Sequence, residues 1–327
     1  MVSARLTCRA ATAAGIAAGY AADLRFGDPR RGHPVAVFGA AAAALERRLW
    51  ARSRRRGLLY TAATAGGATA LGTVLAAATR EHPAGRFATT AVTTWAVLGG
   101  SGLAAEGGEM ARLLDAGDLP GARARLSHLC GRDPAGLDAA ALARAATESI
   151  AENTSDAVVA PLFWGGVAGL PGLLGYRALN TLDAMVGHRS PRYAEFGWAS
   201  ARADDLANLV PARLSAAAAV LCAPLVAGAP AASLRAWRRD AHRHPSPNAG
   251  SVEAAFAGAL GVRLGGVNSY GGRVEDRGPL GAGPPPDTAD LRRAVRLSRL
   301  VGATALAVGV GLAGSRPPWR HRASGRT

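Results

Sequence analysis

The sequence predicts an all-α, multi-span integral membrane protein, one membrane-embedded unit over residues 1–327 with Gly-rich polar loops forming its site. Three observations carry this. First, the runs 57–79, 87–105, 157–176, 214–234 and 300–315 hold no charged side chain, and the first four are 19 to 23 residues long. A bilayer-spanning helix needs roughly 20 predominantly apolar residues. Second, Arg47, Arg48, Arg52, Arg54, Arg55 and Arg56 crowd the edge of the first run, as positive-inside orientation produces; this places 47–56 on the cytoplasmic side. Third, no stretch sustains the alternation of a half-buried strand. Mean hydropathy is only +0.10, because the runs are built from Ala, Gly and Thr while the loops are Arg-rich. Such spans rely on close helix packing, which small residues permit; Gly165-x-x-x-Gly169 fits that pattern. The competing reading is a soluble helical protein with Ala-rich core helices.

From the N-terminus, Arg5 and Arg9 precede an Ala/Gly-rich stretch, 10–22, read as an uncleaved membrane-associated helix because it is poor in Leu. Residues 23–39, DLRFGDPRRGHPVAVFG, form a Gly/Pro-punctuated polar loop. Two apolar helices, 57–79 and 87–105, are joined by the short turn REHPAG. Residues 106–147 read as amphipathic surface helices broken at Pro120 and Pro134. An acidic helix leads into 157–176, a polar region covers 177–213, and 214–234 is followed by a Gly-rich polar segment, 240–283. GAGPPPD is a connector before the last apolar helix, 300–315, and a basic tail, 316–327.

The net charge is +15, all 38 basic residues are Arg and none is Lys. Schiff-base and P-loop lysine chemistry is therefore excluded. Only Trp50 and Tyr60 interleave with the Arg cluster, so a bilayer, not nucleic acid, is the expected partner. Cys8, Cys130 and Cys222 are isolated and read as small packed residues.

Chemistry-bearing residues concentrate in four places. The early loop holds Asp23, Asp28 and His33. ESIAENTSDAVVAPLFWGG sets Glu148, Glu152 and Asp156 four residues apart, with Asn153 beside them. On a helix these acids share one face and repel, so a cation is expected there: Mg²⁺ held by Glu152 and Asp156, or an amine. Residues 180–214 pair Asn180 with Asp183, and Asp204 or Asp205 with Asn208, ending near Arg213. In 240–272, Ser246-Pro247-Asn248 reads as a turn with Asn248 capping a helix that ends at Gly261. That helix start, with Asn268, Tyr270 and Gly271 among paired glycines, reads as a phosphate cradle; a plain helix cap and Gly-rich turn is the alternative. Acids, backbone donors and abundant Arg together suit phosphoryl chemistry.

These blocks resemble the CobD/CbiB family of cobalamin biosynthesis: DLRFGDPRRGHPV, ESIAENTSDAVVAPLFW, NTLDAMVGHR, EFGWASARADDLANLVPARL and HPSPNAGSVEAAFAGALGVRLGGVNSYGG, in that family's order and spacing. The resemblance covers about residues 15–300 and leaves out 40–56, 106–140 and 316–327. It implies an adenosylcobinamide-phosphate synthase in the cell membrane, multi-pass, with its site facing the cytoplasm. The implied reaction is ATP-dependent amide formation between adenosylcobyric acid and (R)-1-amino-2-propanol or its O-phosphate. The matched positions are Glu148, Glu152, Asp156, Asp183, Asp204 and Asp205 as catalytic candidates. Asp28, His33, Asn153, Asn180, Asn208, Arg213, Ser246, Asn248, Asn268, Tyr270 and Gly271 are candidates for substrate binding, and Glu253 also matches. Other cobalamin-pathway enzymes are possible partners. A transporter, suggested by Pro161 and Pro171 and by acids near the bilayer, or a membrane anchor for pathway enzymes, are the alternatives. Because ATP is cytoplasmic, the blocks on either side of 157–176 and 214–234 should share a side, so at least one of these Pro-containing runs is expected to be re-entrant or broken.

Overall fold

Proline and aspartate open many of the helices, and glycine sets where several of them turn. The computed structural model describes residues 2–28, 32–188, 190–270 and 273–315. Helices α1 (Val2–Phe26) and α2 (Pro34–Leu49) flank the first polar loop. Next come α3 (Arg54–Ala78), α4 (Pro83–Val97), α5 (Gly100–Asp115), α6 (Leu119–Leu126) and α7 (Ala139–Thr154). Then follow α8 (Ala160–Ala168), α9 (Leu170–Leu182), α10 (Trp198–Cys222), α11 (Pro230–Asp240) and α12 (Ala249–Leu260). Strands β1 (Leu264–Tyr270) and β2 (Arg273–Leu280) precede α13 (Thr288–Ser315). Pro34, Pro83 and Pro230 stand first in their helices, where a missing N–H costs nothing. Asp118 and Asp138 cap α6 and α7 by accepting from Gly121 N (2.9 Å) and Ala141 N (2.8 Å).

Among the described residues, three helical segments are long and apolar enough to cross a membrane: Arg54–Ala78, Trp198–Val226 and Thr288–Ser315. Leu58, Leu59, Leu71 and Val74 on α3, Leu206, Val210 and Leu221 on α10, and Leu225 in the turn after it point outward, more than half exposed, an apolar surface suited to lipid. Small residues bring helices close. Gly15 and Gly19 of α1 lie against Thr90 and Thr94 of α4, where an added Cβ would sit 2.7 and 2.5 Å from the threonine Cβ atoms. All of α12 is buried, at the centre of the packing.

Three expectations need correction. The run 87–105 is not one span: the chain turns extended at Leu98 (ψ 157°), and α4 has 15 residues, about 23 Å at the α-helical rise. The run 214–234 is not one helix either; α10 begins at Trp198, and a 3₁₀ turn at Ala223–Val226 and left-handed Ala227 (φ 56°) separate it from α11. Nor is the chain all-α. The Gly-rich segment is an antiparallel hairpin, with Val267 opposite Asp276 and a bulge between Gly265 and Val267. Gly265 and Gly266, at φ +78° and +82°, break the alternation that would mark a strand in the sequence.

The run 157–176 is broken, as the shared-side requirement demanded. Gly169 (φ +66°) turns the chain between α8 and α9, and Leu173 packs onto Gly165. The phenol of Tyr176 reaches back to donate to the Asp156 carbonyl at 3.1 Å, so both ends of the run lie side by side. Gly165-x-x-x-Gly169 is therefore the bend of a helical hairpin; Gly166, beside it, makes the close contact with Gly309 of α13.

Candidate active site

Two π-helical turns, Ser155–Val159 between α7 and α8 and Asp183–Gly187 after α9, pack against α10. Such turns widen a helix and recur at functional sites. Asp156 and Asp183 sit on them, and α10 presents Asp204. Asn208 donates to Asp204 Oδ2 (2.9 Å), and Tyr176 donates to Asn208 Oδ1 (2.9 Å). Asp204 is 7% exposed, and its Oδ1 has no hydrogen-bond partner among the described residues. Arg177 donates to Asn180 Oδ1 at 3.4 Å and lies within electrostatic reach of Asp28 and Asp156. Burial, then the charges of Asp205 and Glu152, push the Asp183 carboxyl up to about 6.

The row on α7 divides. Glu148 is 2% exposed, ion-paired with Arg132, and accepts from Gly265 N at 2.7 Å. Both its oxygens are engaged, so it fastens the hairpin to α7. Arg144 donates to the Gly265 carbonyl and completes that junction. Glu152 and Asp156 keep partial exposure. Burial raises the Glu152 pKa, the Arg277 charge opposes it and the Glu148 charge adds to it. The π turn takes Asp156 out of line with the other two, toward α10. On α12, Glu253 is fully buried between His244 Nε2 (3.6 Å) and Arg277 (3.8 Å). Burial and Arg277 push His244 down to about 4, so the pair is not ionic at neutral pH. Asn268, 4% exposed on β1, has neither amide atom hydrogen-bonded among the described residues.

Other predicted positions make contacts within the fold. His33 Nδ1 accepts from Val35 N (3.2 Å) and caps α2. Asn153 bonds back to the Ser149 carbonyl (2.9 Å). Asp205 faces Arg202 at 3.4 Å near the surface. The phosphate cradle at the start of α12 is closed. Ser246 Oγ accepts from Ala249 N (3.2 Å), the Ser246 carbonyl from Gly250 N (3.2 Å), and the Asn248 carbonyl from Ser251 N (3.0 Å). The Asn248 side chain does not cap the helix: it accepts from Arg213 (2.7 Å) and donates to the Asp205 carbonyl (2.8 Å), tying α12 to α10. The Tyr270 side chain and Gly271 lie outside the described residues.

Sequence reasoning missed Arg132, Tyr176 and Arg277. Tyr176 had a signal: a polar group closing an apolar run. Arg132 had none, since the segment holding it reads as ordinary surface. Among the described residues, no three His, Cys, Asp or Glu side chains form a metal cage. Mg²⁺ asks for less, one or two carboxylates completed by substrate phosphates, and the crowded acids around Glu152 and Asp156 fit such a cation.

A model of the family described as CobD/Cbib protein matches residues 16–298. The "Cobalamin biosynthesis protein CobD" of Mycobacterium tuberculosis (strain CDC 1551 / Oshkosh) is 52% identical over 309 residues, 94% of this chain and 97% of that protein. Proteins of the same name from Rhodobacter capsulatus and Geobacter metallireducens are 48% and 44% identical. They cover 85% and 88% of this chain, and 90% and 91% of their own lengths are matched. No solved structure matches the chain. On a family match across most of its length and relatives aligned nearly end to end, the chain belongs to the CobD/CbiB family.

Proposed function

We propose that this chain acts in cobalamin biosynthesis as a membrane-bound, ATP-dependent amide ligase. It joins a propionate carboxylate of adenosylcobyric acid to the amine of (R)-1-amino-2-propanol or its O-phosphate. The relatives' names support the pathway. The observation that carries the chemistry is the convergence of Glu152, Asp156, Asp183 and Asp204 from α7, α10 and two π turns. A carboxylate is a poor acyl donor, so ATP first phosphorylates it; the neutral amine then displaces phosphate, giving amide, ADP and inorganic phosphate. Mg²⁺ held at Glu152 and Asp156 would neutralise phosphate charge. Asp183, raised to about 6, suits a base that takes the proton of the attacking amine. Asn268, whose amide atoms have no hydrogen bond among the described residues, and the partly exposed Asn180 are available to hold substrate.

Purified protein in detergent, given ATP, Mg²⁺, adenosylcobyric acid and the amine, is expected to form cobinamide or cobinamide phosphate with matching ADP release. Absence of product, with ATP-independent movement of corrinoid across reconstituted vesicles, would overturn the reading in favour of transport, a role the bent α8–α9 pair would also suit.

A further inference from the structure

Six of the ten residues from 47 to 56, at the elbow between α2 and α3, are arginines. Arg47, Arg48, Arg52, Arg54, Arg55 and Arg56 are all exposed, and among the described residues none of them is ion-paired. Residues 29–80 hold one acid, Glu46. It is already taken: the Tyr193 hydroxyl donates to its Oε1 at 2.8 Å and Arg192 pairs with it at 3.0 Å. Glu195, the exposed acid of the facing loop, pairs with none of the six. At the starts of α10 and α13 the arginines do have acids, Arg202 with Asp205, Arg292 with Asp115 and Arg293 with Asp290. Nor do the six serve α3 itself. Three stand in its first turn, where a cation opposes the helix dipole. The elbow is held in shape by other contacts. Trp50 Nε1 donates to the Arg192 carbonyl at 3.3 Å, the Arg192 guanidinium lies 4.7 Å from the centre of the Trp50 ring, and Gly57 rests on the Phe196 carbonyl. Directly after the last arginine, Leu58 and Leu59 are exposed, and so is Trp198 beneath Arg54.

We propose that this elbow binds the headgroups of anionic phospholipids, its arginines on their phosphates and Leu58 and Leu59 against their acyl chains. A guanidinium takes a phosphate through paired N–H donors, and a basic cluster beside a membrane span attracts acidic lipid. Positive-inside orientation requires only that basic residues lie on one side. It does not require them to be unpaired, gathered on one fixed elbow and set against a helix dipole. A zwitterionic lipid brings an ammonium with each phosphate and leaves the charge of the elbow uncompensated. A nucleic acid brings phosphates but nothing for the exposed leucines, whereas an anionic lipid supplies both halves of the surface.

The test is the thermal midpoint of the full chain in dodecyl maltoside micelles carrying either phosphatidylglycerol or phosphatidylcholine. Phosphatidylglycerol is expected to raise the midpoint above phosphatidylcholine at low salt, and the difference is expected to close at about 0.5 M NaCl, where exposed charges are screened. Two variants leave the Arg54 stack in place: Arg47→Gln with Arg48→Gln and Arg52→Gln, and Arg55→Gln with Arg56→Gln. Each is expected to need about tenfold or more phosphatidylglycerol for half of the shift. Arg235→Gln with Arg238→Gln and Arg263→Gln removes charge from exposed arginines on other elements, and is expected to respond as wild type does. A wild-type midpoint that does not distinguish the two lipids overturns the proposal. So does an equal loss in the Arg235 variant, which would make the effect one of net charge. Equal stabilisation by inorganic phosphate or by an RNA oligonucleotide in phosphatidylcholine micelles also overturns it, in favour of a general anion surface. None of these readings needs turnover, so their failure leaves the ligase reading standing.

Discussion

Glu148 and Glu152 are one helical turn apart on α7 and differ in what surrounds them. Glu148 neutralises Arg132, itself buried, and holds the hairpin backbone. Glu148→Gln breaks a buried ion pair by removing one of its charges, a change that costs about 3–5 kcal/mol. Its thermal midpoint should fall steeply, and activity with it. Glu152 is partly exposed, with burial raising its pKa; Glu152→Gln removes a charge that the folded state disfavours. That variant should lose amide formation while the ligand-free midpoint stays level or rises, and a matched loss of both would make Glu152 structural. Asp183 carries a pH signature. Its folded pKa, about 6, lies above its ordinary 3.8. Between those values the folded state holds a proton that the unfolded state has released, so stability falls as pH rises from about 4 to 6 and stays reduced above. Two units correspond to at most about 3 kcal/mol. Asp183→Asn should therefore melt higher than wild type at pH 7.5 and level with it at pH 4. If Asp183 is the base, the wild-type rate should drop as pH falls below about 6.

At the scale of elements, the bend between α8 and α9 places the acids, and α3 holds the bend. A Cβ on Gly72 of α3 would sit 2.6 Å from the Leu170 carbonyl and 2.7 Å from the Pro171 backbone, so Gly72→Val must displace the turn. It should lower the midpoint and the rate together, and proteolysis should begin near residues 168–172; normal activity would mean the bend does not position the site. This bend also marks what the sequence could reveal. Runs 57–79 and 157–176 are alike in length, yet one is a single helix and the other, which carries Pro161 and Pro171, folds in half. Pro161 alone did not distinguish them, because it stands in the first turn of α8, where proline is tolerated; the decisive residue is Gly169, whose positive φ is invisible in a Gly-rich run. The acids were legible from their spacing on α7 and α10. Their partition was not, because Arg132 and the hairpin meet Glu148 only in three dimensions, and the π turn shifts the helical phase after Glu152. The hairpin itself stayed hidden because its glycines and bulge erase the period-two pattern.

At the scale of the whole molecule, packing gathers the candidate acids and the Arg-rich start of α3 at one end of the bundle. The Arg-rich start of α3 meets the start of α10: Arg54 stacks over the Trp198 ring at 5.4 Å, and Thr61 hydrogen-bonds Ser200 at 2.8 Å. Asp204 lies one turn further along α10, with Asp183 beside it. The bent α8–α9 pair returns Asn180 to the same end, and the Asn248 contacts to Asp205 and Arg213 bring the start of α12 there too. Arg52 to Arg56 and the converging acids thus share one end of the bundle, and on the ligase reading positive-inside orientation makes that end the one expected to face the cytoplasm. The far end of α3, 25 residues away, about 37 Å at the helical rise, reaches the opposite face at the Arg80–Glu81 turn. Single cysteines in a chain lacking Cys8, Cys130 and Cys222 test this at three exposed positions. Ala184→Cys and His242→Cys should react in intact cells only with membrane-permeant maleimide, and Glu81→Cys with the impermeant reagent as well. Labelling of the Ala184 and His242 variants from outside, with Glu81 protected, would invert the orientation. Labelling that separates Ala184 from His242 would mean that the bundle does not gather its motifs at one end, and the shared site would fall with it.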